Sequence, residues 1–368
     1  MIYELIQVAI GQRDKLSHTP TPEEWKRLYA DALKQSVVGV AFEGVQKLPK
    51  EQWAPQALLF EWVGTCEQIK AQNQIVNKRS AEISQMLAEA GFRSCILKGQ
   101  GNALMYPTPF CRMSGDIDIW IDGARNQINQ FVRERYPHAY EQEQHIDFPI
   151  FKDVAVEIHY KPCTLPTPKG NKRVLEWSMA QKDVQMSHEV KLPMEVGTIC
   201  VPTADFNVVY QIIHIMTHFF IEGIGLRHFV DYYFALKAFT DQQDNPANLA
   251  RQKAEAVERL KQFGMLRFAR GVMWVEKECL RIEDKYLLVE PDERRGRIIL
   301  EEMQEGGNFG FHDERYKSHR NGYLKRGFID GVRLLKLLSA FPSESMWNIY
   351  KKAEKQKWKL LRIIRNRE

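Results

Sequence analysis

Three acidic side chains fall within one short apolar segment, FCRMSGDIDIWID, at residues 110–122. With the two-residue period of a strand, the isoleucines point to one side, and Asp116, Asp118, Trp120 and Asp122 point to the other. This alternation predicts a half-buried β-strand. Neighbouring carboxylates on one strand face repel each other. We therefore expect water, a basic partner or a metal ion to offset that repulsion.

A further acid follows in the segment VAVEIHY, residues 154–160, where Glu157 and His159 alternate with apolar side chains. This pattern predicts a second strand with Glu157 on one face. If the two strands are neighbours, three carboxylates gather on one face of the sheet. Hard oxygen donors without cysteine suit Mg²⁺ or Mn²⁺.

A glycine-containing turn precedes both acidic segments. In LKGQG, a short apolar run leads into Lys98, Gly99 and Gly101 ahead of a predicted helix. Free backbone N–H groups and one ammonium at such a turn form a place for a phosphate. Each motif alone is common in solvated strand ends and ordinary turns. Their order on successive elements instead favours a site for phosphoryl or nucleotidyl transfer.

Two polar residues directly before the acidic strand are further candidates for contact with phosphate or substrate. Arg112 has the forked donors that suit an anion, and Ser114 lies two residues later. A salt bridge from Arg112 to Asp116 or Asp118 is an equally good interpretation.

The second half of the chain holds substrate-facing candidates on predicted helices. His214 and His218 are four residues apart, a spacing that fits metal ligands but fits histidines of the core or of a substrate pocket better. Arg227 and Asp231 are also four apart and most simply form a pair within one helix. We place His159 with these histidines and Arg227 in a second tier of substrate-contacting candidates.

With these residues identified, the chain resembles the polymerase-β-type nucleotidyltransferase superfamily. More narrowly, it resembles an uncharacterised bacterial nucleotidyltransferase family with a Leu-Lys-Gly, Tyr-Pro, Arg and Asp-x-Asp pattern. LKG and YPTPFCRMSGDIDIWID carry the resemblance, and HIMTHFFIEGIGLRHFVDYY and GGNFG look like the helical part of the narrower family. The similarity covers roughly residues 80–330.

The resemblance implies that an acceptor hydroxyl attacks the α-phosphorus of a nucleoside triphosphate in line. Asp116 and Asp118 would then bridge two metal ions, Mg²⁺ or Mn²⁺, about 3.5–4 Å apart. Glu157 would complete the acceptor-side metal and help to take the hydroxyl proton. Lys98 and the Gly99 amide would hold the β- and γ-phosphates. The superfamily's usual Gly-Ser turn is Lys98-Gly99 here, so the choice of nucleotide does not carry over.

The acceptor is not identified; a small molecule, a sugar or a protein is favoured over nucleic acid. Two other functions remain open. One is a glycosyltransferase that uses Asp-x-Asp for a metal and a nucleotide sugar, although helices stand where its nucleotide-binding α/β module is expected. The other is a non-enzymatic interaction protein on a transferase scaffold, which the presence of all three acids disfavours.

The predicted helices and strands that carry these residues indicate an α+β fold. In this fold, a small mixed β-sheet nucleotidyltransferase module is flanked by helical regions. We expect an N-terminal helical region at 1–78, the module at 79–204 and a C-terminal helical domain with a basic tail at 205–368. Predicted elements are a helix start at Thr21, a helix over 55–90 ended by Gly91 and strands at 94–99 and 197–203. Also predicted are a hairpin of HIDFPIF and VAVEIHY turning at Lys152-Asp153 and a helix capped by Thr203 or Asp205. Residues 161–196 give no clear pattern.

Composition and charge indicate the class of protein and its cellular compartment. The 368-residue chain has a net charge of +5, and its last 18 residues, 351–368, hold eight Lys or Arg and two Glu. A docked terminal helix with a solvated face, with Trp358, Leu361 and Ile364 on its apolar side, is favoured over a nucleic-acid or lipid contact. Six scattered cysteines without a CxxC pair indicate reduced thiols. Without a predicted signal peptide or membrane span, we expect a cytoplasmic bacterial protein.

Overall fold

The computed structural model describes residues 1–243, 245–310 and 323–365, and its first part is helical. The helices are α1, Ile2–Ala9; α2, Pro22–Lys34; α3, Val38–Lys47; and α4, Gln56–Glu89. The predicted start at Thr21 is confirmed, because the Thr21 hydroxyl accepts from the Glu24 N–H and the Glu24 carboxylate accepts from the Thr21 N–H. Gly91, with φ +85°, follows the end of α4 as predicted. The predicted boundary between residues 78 and 79 lies inside α4.

The middle of the chain forms a four-stranded mixed sheet in the order β1-β2-β4-β3. β2 runs antiparallel to β1 and parallel to β4, and β3 runs antiparallel to β4. The predicted α+β fold with a small mixed sheet flanked by helices is therefore confirmed. The strands are β1, Ser94–Ile96; β2, Ile117–Ile121; β3, His145–Asp147; and β4, Val156–His159, and the helices between them are α5, Gln100–Ala103, and α6, Arg125–Arg133.

Strand β2 differs from the half-buried strand that the alternation predicted. All five of its residues are buried, because the sheet is covered on both faces. The isoleucine face packs against α6 and the second half of α4, while Trp120 on the other face packs in the larger core. Asp122 lies just beyond the strand and pairs with Arg93 and Lys182. It therefore does not belong to the group of acids at the opposite end of β2.

The hairpin of β3 and β4 is confirmed as an antiparallel pair, with a longer connection than a tight turn. Asp147 pairs with Glu157, so residues 148–155 form the loop and Lys152 lies at its centre. Asp153 in this loop accepts hydrogen bonds from Arg79 on α4. The loop is thus tied to the long helix, which supports a connection that lacks a two-residue turn sequence.

The segment that the sequence left unassigned contains regular structure. A two-stranded antiparallel sheet closes it, and its second strand confirms the strand predicted at 197–203. The helix and the first strand were missed because the prolines and mixed polarity of 161–196 obscure any period. The elements are α7, Pro168–Ala180; α8, Lys182–Gln185; β5, Glu189–Lys191; and β6, Thr198–Cys200.

The rest of the described chain is helical, as predicted. The first of these helices begins after Thr203, one of the two predicted caps, although the Thr203 hydroxyl donates to Gln185 and does not bond the helix. None of the described helices is long and apolar enough to cross a lipid bilayer. The helices are α9, Ala204–Ile221; α10, Leu226–Asp241; α11, Pro246–Gln262; α12, Leu266–Leu280; α13, Glu293–Gly306; α14, Tyr323–Leu337; and α15, Pro342–Arg365.

The C-terminal helices attach to α9 through a buried arginine. Arg333 on α14 pairs with Glu302 and donates to the backbone carbonyl of Phe219 near the end of α9. The basic tail enters α15, so its helical prediction is confirmed up to residue 365. The side chains predicted to form its apolar side, Trp358, Leu361 and Ile364, lie outside the described residues.

Candidate active site

A polar cavity opens where the end of the sheet meets α9 and α10. From the sheet module, Lys98, Gly99, Asp116 and Asp118 line it, and α9 contributes His214. From α10 it receives Arg227, His228 and Asp231. The cavity therefore brings together residues that the sequence placed on separate motifs more than 100 positions apart.

The three acids predicted from the sequence converge, and two of them, Asp116 and Asp118, line this cavity. Asp118 on β2 pairs directly with Glu157 on β4 because the two strands are parallel neighbours. Asp116 lies just before β2 and is exposed, while Asp118 is buried and Glu157 is half-buried. One carboxylate oxygen from each residue lies within 4.8 Å of the others. The arrangement is thus a cluster of hard oxygen donors that is open to solvent on one side.

Two cationic or polar partners compensate the buried Asp118. Lys98 Nζ lies 2.8 Å from Asp118 Oδ2, and His159 Nε2 lies 2.9 Å from Oδ1. Burial alone would raise the pKa of Asp118, but the Lys98 ammonium and the His159 hydrogen bond bring it below its usual range. Burial would likewise lower the pKa of Lys98, and the charges of Asp118 and Asp116 raise it. Both groups are therefore held in their charged forms.

Asp116 is in the opposite situation, since no described side chain forms an ion pair or hydrogen bond of this kind with it. The charge of Asp118 is the main cause that raises the pKa of Asp116 above its usual range. Repulsion between carboxylates of this kind is what a divalent cation relieves. The oxygen-only donor set, the mutual repulsion and the solvent-open side fit a hard divalent cation such as Mg²⁺ or Mn²⁺.

The glycine turn adopts the conformation that its sequence indicated. Gly99 has φ +56° and precedes α5, so a side chain there would be strained. Lys98 and Gly99 both face the cavity next to the acids. Ser114, also predicted to contact phosphate, lies outside the cavity lining, although it is close to Asp116 along the chain.

Arg112 is bound to a partner that the sequence did not indicate. Its Nε and Nη2 each lie 2.7 Å from one oxygen of Asp231 on α10, and the Tyr106 hydroxyl donates to Asp231 at 2.5 Å. The alternative expectation of a salt bridge from Arg112 to Asp116 or Asp118 was therefore wrong, and Asp231 binds Arg112 in addition to feeling the charge of Arg227. Arg112 borders the cavity, but its forked donors are taken up by Asp231.

Arg227 and the histidines of α9 and α10 form the opposite wall. Arg227 Nη1 donates to the carbonyl of Met113 at 3.0 Å, and burial of its guanidinium, with Arg112 nearby, lowers its pKa to about 10. The His214 ring lies 4.4 Å from that of His218 and 5.4 Å from that of His228. Within the described part of the chain, neither group with metal-ligand spacing includes these histidines. Their role as pocket residues stays a prediction.

The sequence missed two residues of this region. Asp231 fixes Arg112, a contact that its spacing of four from Arg227 did not indicate. His145 on β3 lies next to His159 across the hairpin, with ring centroids 5.2 Å apart. The alternation of His145 and Asp147 in HIDF was the available signal, because it places both side chains on the face that carries Glu157.

The sequence is similar to one family of known proteins. A family model described as an uncharacterised nucleotidyltransferase matches residues 21–275, which is more than half of the chain. No curated protein matches the sequence. A solved structure of an antigenic nucleotidyltransferase-like protein from Paracoccidioides brasiliensis aligns with 13% identity over 51% of this chain and 90% of that chain. The TM-score of that alignment is 0.31, too low to support any inference.

Proposed function

Because this chain belongs to the uncharacterised nucleotidyltransferase family, we propose that it moves a nucleoside monophosphate from a nucleoside triphosphate to an acceptor hydroxyl. The observation that carries this proposal is the convergence of Asp116, Asp118 and Glu157 within 4.8 Å, beside Lys98. Membership of the family confirms the enzyme class predicted from the sequence. Metal dependence, the acceptor and the residue roles are the proposal.

The acidic cluster is the part of the site that would hold divalent metal ions, Mg²⁺ or Mn²⁺. Asp116 and Asp118 would hold the ions, and Glu157 would contribute a ligand on the acceptor side. Bound there, the ions would supply positive charge that polarises the phosphoryl group and stabilises the attacking and leaving oxygens. His159 is a positioning residue in this scheme, because its hydrogen bond fixes the orientation of the Asp118 carboxylate.

Lys98 and Gly99 would bind the phosphates that leave as pyrophosphate. The Lys98 ammonium neutralises Asp118 in the free chain and lies at the cavity, where it would bind an incoming phosphate. Arg227 lines the other side of the same cavity and would face the remaining phosphate charge. Ser114, His214 and His218 remain second-tier substrate contacts in this scheme. Arg112 would act through Asp231, as a residue that shapes the cavity wall.

On the acceptor side, Glu157 would orient the attacking hydroxyl and accept its proton. Glu157 is half-buried, so its carboxylate is partly accessible to solvent. Its carboxylate is within reach of the other two acids, which is the geometry a shared proton-accepting and metal-binding role requires. We propose a small molecule, a sugar or a protein as acceptor and the bacterial cytoplasm as the setting.

The test is the replacement of Asp118 by its neutral isostere. We expect Asp118→Asn to lower metal-dependent release of pyrophosphate from nucleoside triphosphates by at least about a thousandfold, because the variant loses a proposed metal ligand. At about 1.4 kcal/mol per tenfold, this corresponds to a rise of about 4 kcal/mol in the barrier. The measurement is pyrophosphate release from the four triphosphates with Mg²⁺ or Mn²⁺, paired with calorimetric binding of each triphosphate.

The matched control is Asp122→Asn. Asp122 follows the same strand but binds Arg93 and Lys182 away from the cavity, so we expect the rate of this variant to stay close to that of the parent. An Asp118→Asn variant that is folded and as active as the parent would exclude the proposed site. A parent chain that binds no triphosphate with either metal would exclude the proposed reaction.

A further inference from the structure

A second group of metal-type ligands lies on β3 and β4, beside the acids already described. It consists of His145, Glu157 and His159, with one ligand atom from each within 4.8 Å of the others. The two histidines face each other across the hairpin because residues 145 and 159 are paired in register. The nucleotidyl transfer proposed above gives no role to His145 and only a positioning role to His159.

The distances in this group are long for hydrogen bonds and suit ligands around one ion. Glu157 Oε2 lies 3.3 Å from His145 Nδ1 and 3.5 Å from His159 Nε2. Direct N–H···O bonds cluster near 2.9 Å. Ligands about 2.0–2.1 Å from a tetrahedral zinc ion are separated from each other by about 3.3–3.4 Å. Two edges of such a tetrahedron are therefore already present, and the two imidazole nitrogens lie within 4.8 Å of each other.

The surroundings of both rings support ligation. His145 Nε2, the nitrogen turned away from Glu157, lies 3.6 Å from Asp147 Oδ1. This distance exceeds that of a hydrogen bond, but it places a carboxylate behind the ring, as in many zinc sites. His159 is only 5% exposed, and its Nδ1 is buried without a hydrogen-bond partner. In the free chain Nε2 carries the ring proton and donates to Asp118. To bind an ion, Nε2 would give up that hydrogen bond while the proton moves to the unpartnered Nδ1, which leaves the Nε2 lone pair for the ion.

We propose that His145, Glu157 and His159 form a binding site for a divalent transition-metal ion of the zinc type. Imidazole nitrogens suit Zn²⁺, Co²⁺ and Ni²⁺, whereas Mg²⁺ prefers oxygen ligands and water. The half-buried Glu157 and His145 leave an entry path from solvent. This site stands on the strand geometry whether or not the chain transfers nucleotides.

Glu157 belongs to both ligand groups, so an ion bound to one group would affect the other group. A zinc-type ion on the two histidines would draw Glu157 toward β3 and compete with an Mg²⁺ ion on Asp116 and Asp118. If the chain is the proposed transferase, the occupancy of the histidine site would then tune the acceptor side of the reaction. That second step rests on the proposed function; the binding itself does not.

The experiment uses the full chain after removal of metals with a chelator. Zn²⁺ binding is measured by competition with a chromogenic chelator, and Co²⁺ is titrated as a spectroscopic probe in the presence of saturating Mg²⁺. We expect one zinc ion per chain and visible cobalt bands of a site with imidazole ligands and without thiolate ligands. We expect His145→Gln to weaken Zn²⁺ binding by at least about tenfold.

Two matched variants separate this site from its neighbours. His138→Gln removes an exposed histidine of the same module and should leave zinc affinity unchanged. Asp116→Asn disrupts the carboxylate group but retains both imidazoles, so it should keep the zinc site. Circular dichroism and the melting temperature confirm that each variant is folded, and the parent's cobalt spectrum tests the ligand type without any variant.

Three results would overturn the proposal. The first is a parent chain that binds no Zn²⁺ above the level of the chelator. The second is zinc binding that His145→Gln leaves intact. The third is binding lost in Asp116→Asn and retained in His145→Gln, which would assign the ion to the carboxylates. None of these results depends on nucleotide turnover, so failure here is distinguishable from failure of the transferase reaction.

Discussion

At the scale of single residues, the Lys98 ammonium lies beside carboxylates that a metal ion would also bind. Its ammonium contacts Asp118, and the charges of Asp116 and Glu157 also act on it. A buried aspartate needs a cation close by, because an uncompensated buried charge is costly. In the free chain the lysine therefore provides, within the protein, the charge compensation that a divalent ion would otherwise supply.

Replacing Lys98 by methionine tests this compensation. We expect Lys98→Met to lower the free energy of unfolding by about 3 kcal/mol in metal-free buffer, because Asp118 then keeps only His159 as a partner. We also expect added Mg²⁺ to raise the melting temperature of the variant more than that of the parent, since the ion no longer competes with an ammonium. Urea unfolding and thermal melts with and without Mg²⁺ measure both effects.

Lys161→Met serves as the control, because Lys161 pairs with the exposed Glu143 on the same module. Solvent screens such a pair, so we expect only a small change in stability and no added dependence on Mg²⁺. Equal Mg²⁺ responses in Lys98→Met and the parent would mean that the lysine and the ion do not share Asp118.

Helix α10 is the element that ties the sheet module to the helical region. Its Asp231 carboxylate accepts hydrogen bonds from Nε and Nη2 of Arg112, which precedes β2, and from the hydroxyl of Tyr106. The side chains of Arg112 and Asp231 are each about 5% exposed, so their pairing occurs away from solvent. Burial would raise the pKa of Asp231, but the Arg112 guanidinium lowers it below its usual range. The pair thus fixes the position of the segment before β2 relative to α10.

Breaking this pair should be costly for stability. We expect Asp231→Asn to lower the free energy of unfolding by about 3–5 kcal/mol, because Arg112 remains buried without a counter-charge. The measurement is urea unfolding followed by circular dichroism. Glu255→Gln, which breaks the exposed i,i+4 pair with Arg251, is the control and should change stability little. A loss no larger than that of the control would mean that the pair does not hold α10 in place.

At the scale of the whole molecule, the sheet shares its core with the helices around it. Trp120 on β2 belongs to the same buried cluster as residues of α1, α9 and α12. Its ring stacks near Phe206 on α9, and Phe206 stacks on Trp177 of α7 at a centroid distance of 4.4 Å. The module predicted at residues 79–204 therefore contributes one face to a core that lies largely outside its own boundaries.

This shared core predicts that the module does not fold alone. A fragment of residues 79–204 lacks α9 and most of α4, so the Trp120 face of its sheet would lie open to water. We expect the fragment to show no cooperative urea transition by near-ultraviolet circular dichroism, whereas the full chain shows one. A fragment that unfolds as sharply as the full chain would establish 79–204 as an autonomous domain.

Much of the local structure followed from the sequence, because the determining interactions are between near neighbours. The capping box at Thr21, the end of α4 at Gly91 and the strand around Asp118 depend on side chains within a few positions of each other. The alternation of Glu157 and His159 likewise placed both residues on one face of β4. The types and spacing of the acids, together with the family resemblance, were enough to predict the enzyme class.

Partners distant in sequence were decided only by the tertiary structure. Arg112 and Asp231 are 119 positions apart, and no local period connects them. β2 is buried on both faces because α9 covers the side that the alternation assigned to solvent. His145 joins His159 only through the register of the hairpin. Local periodicity determines which face a side chain occupies, but the packing of distant elements determines what that face meets, since burial and charge pairing depend on three-dimensional proximity.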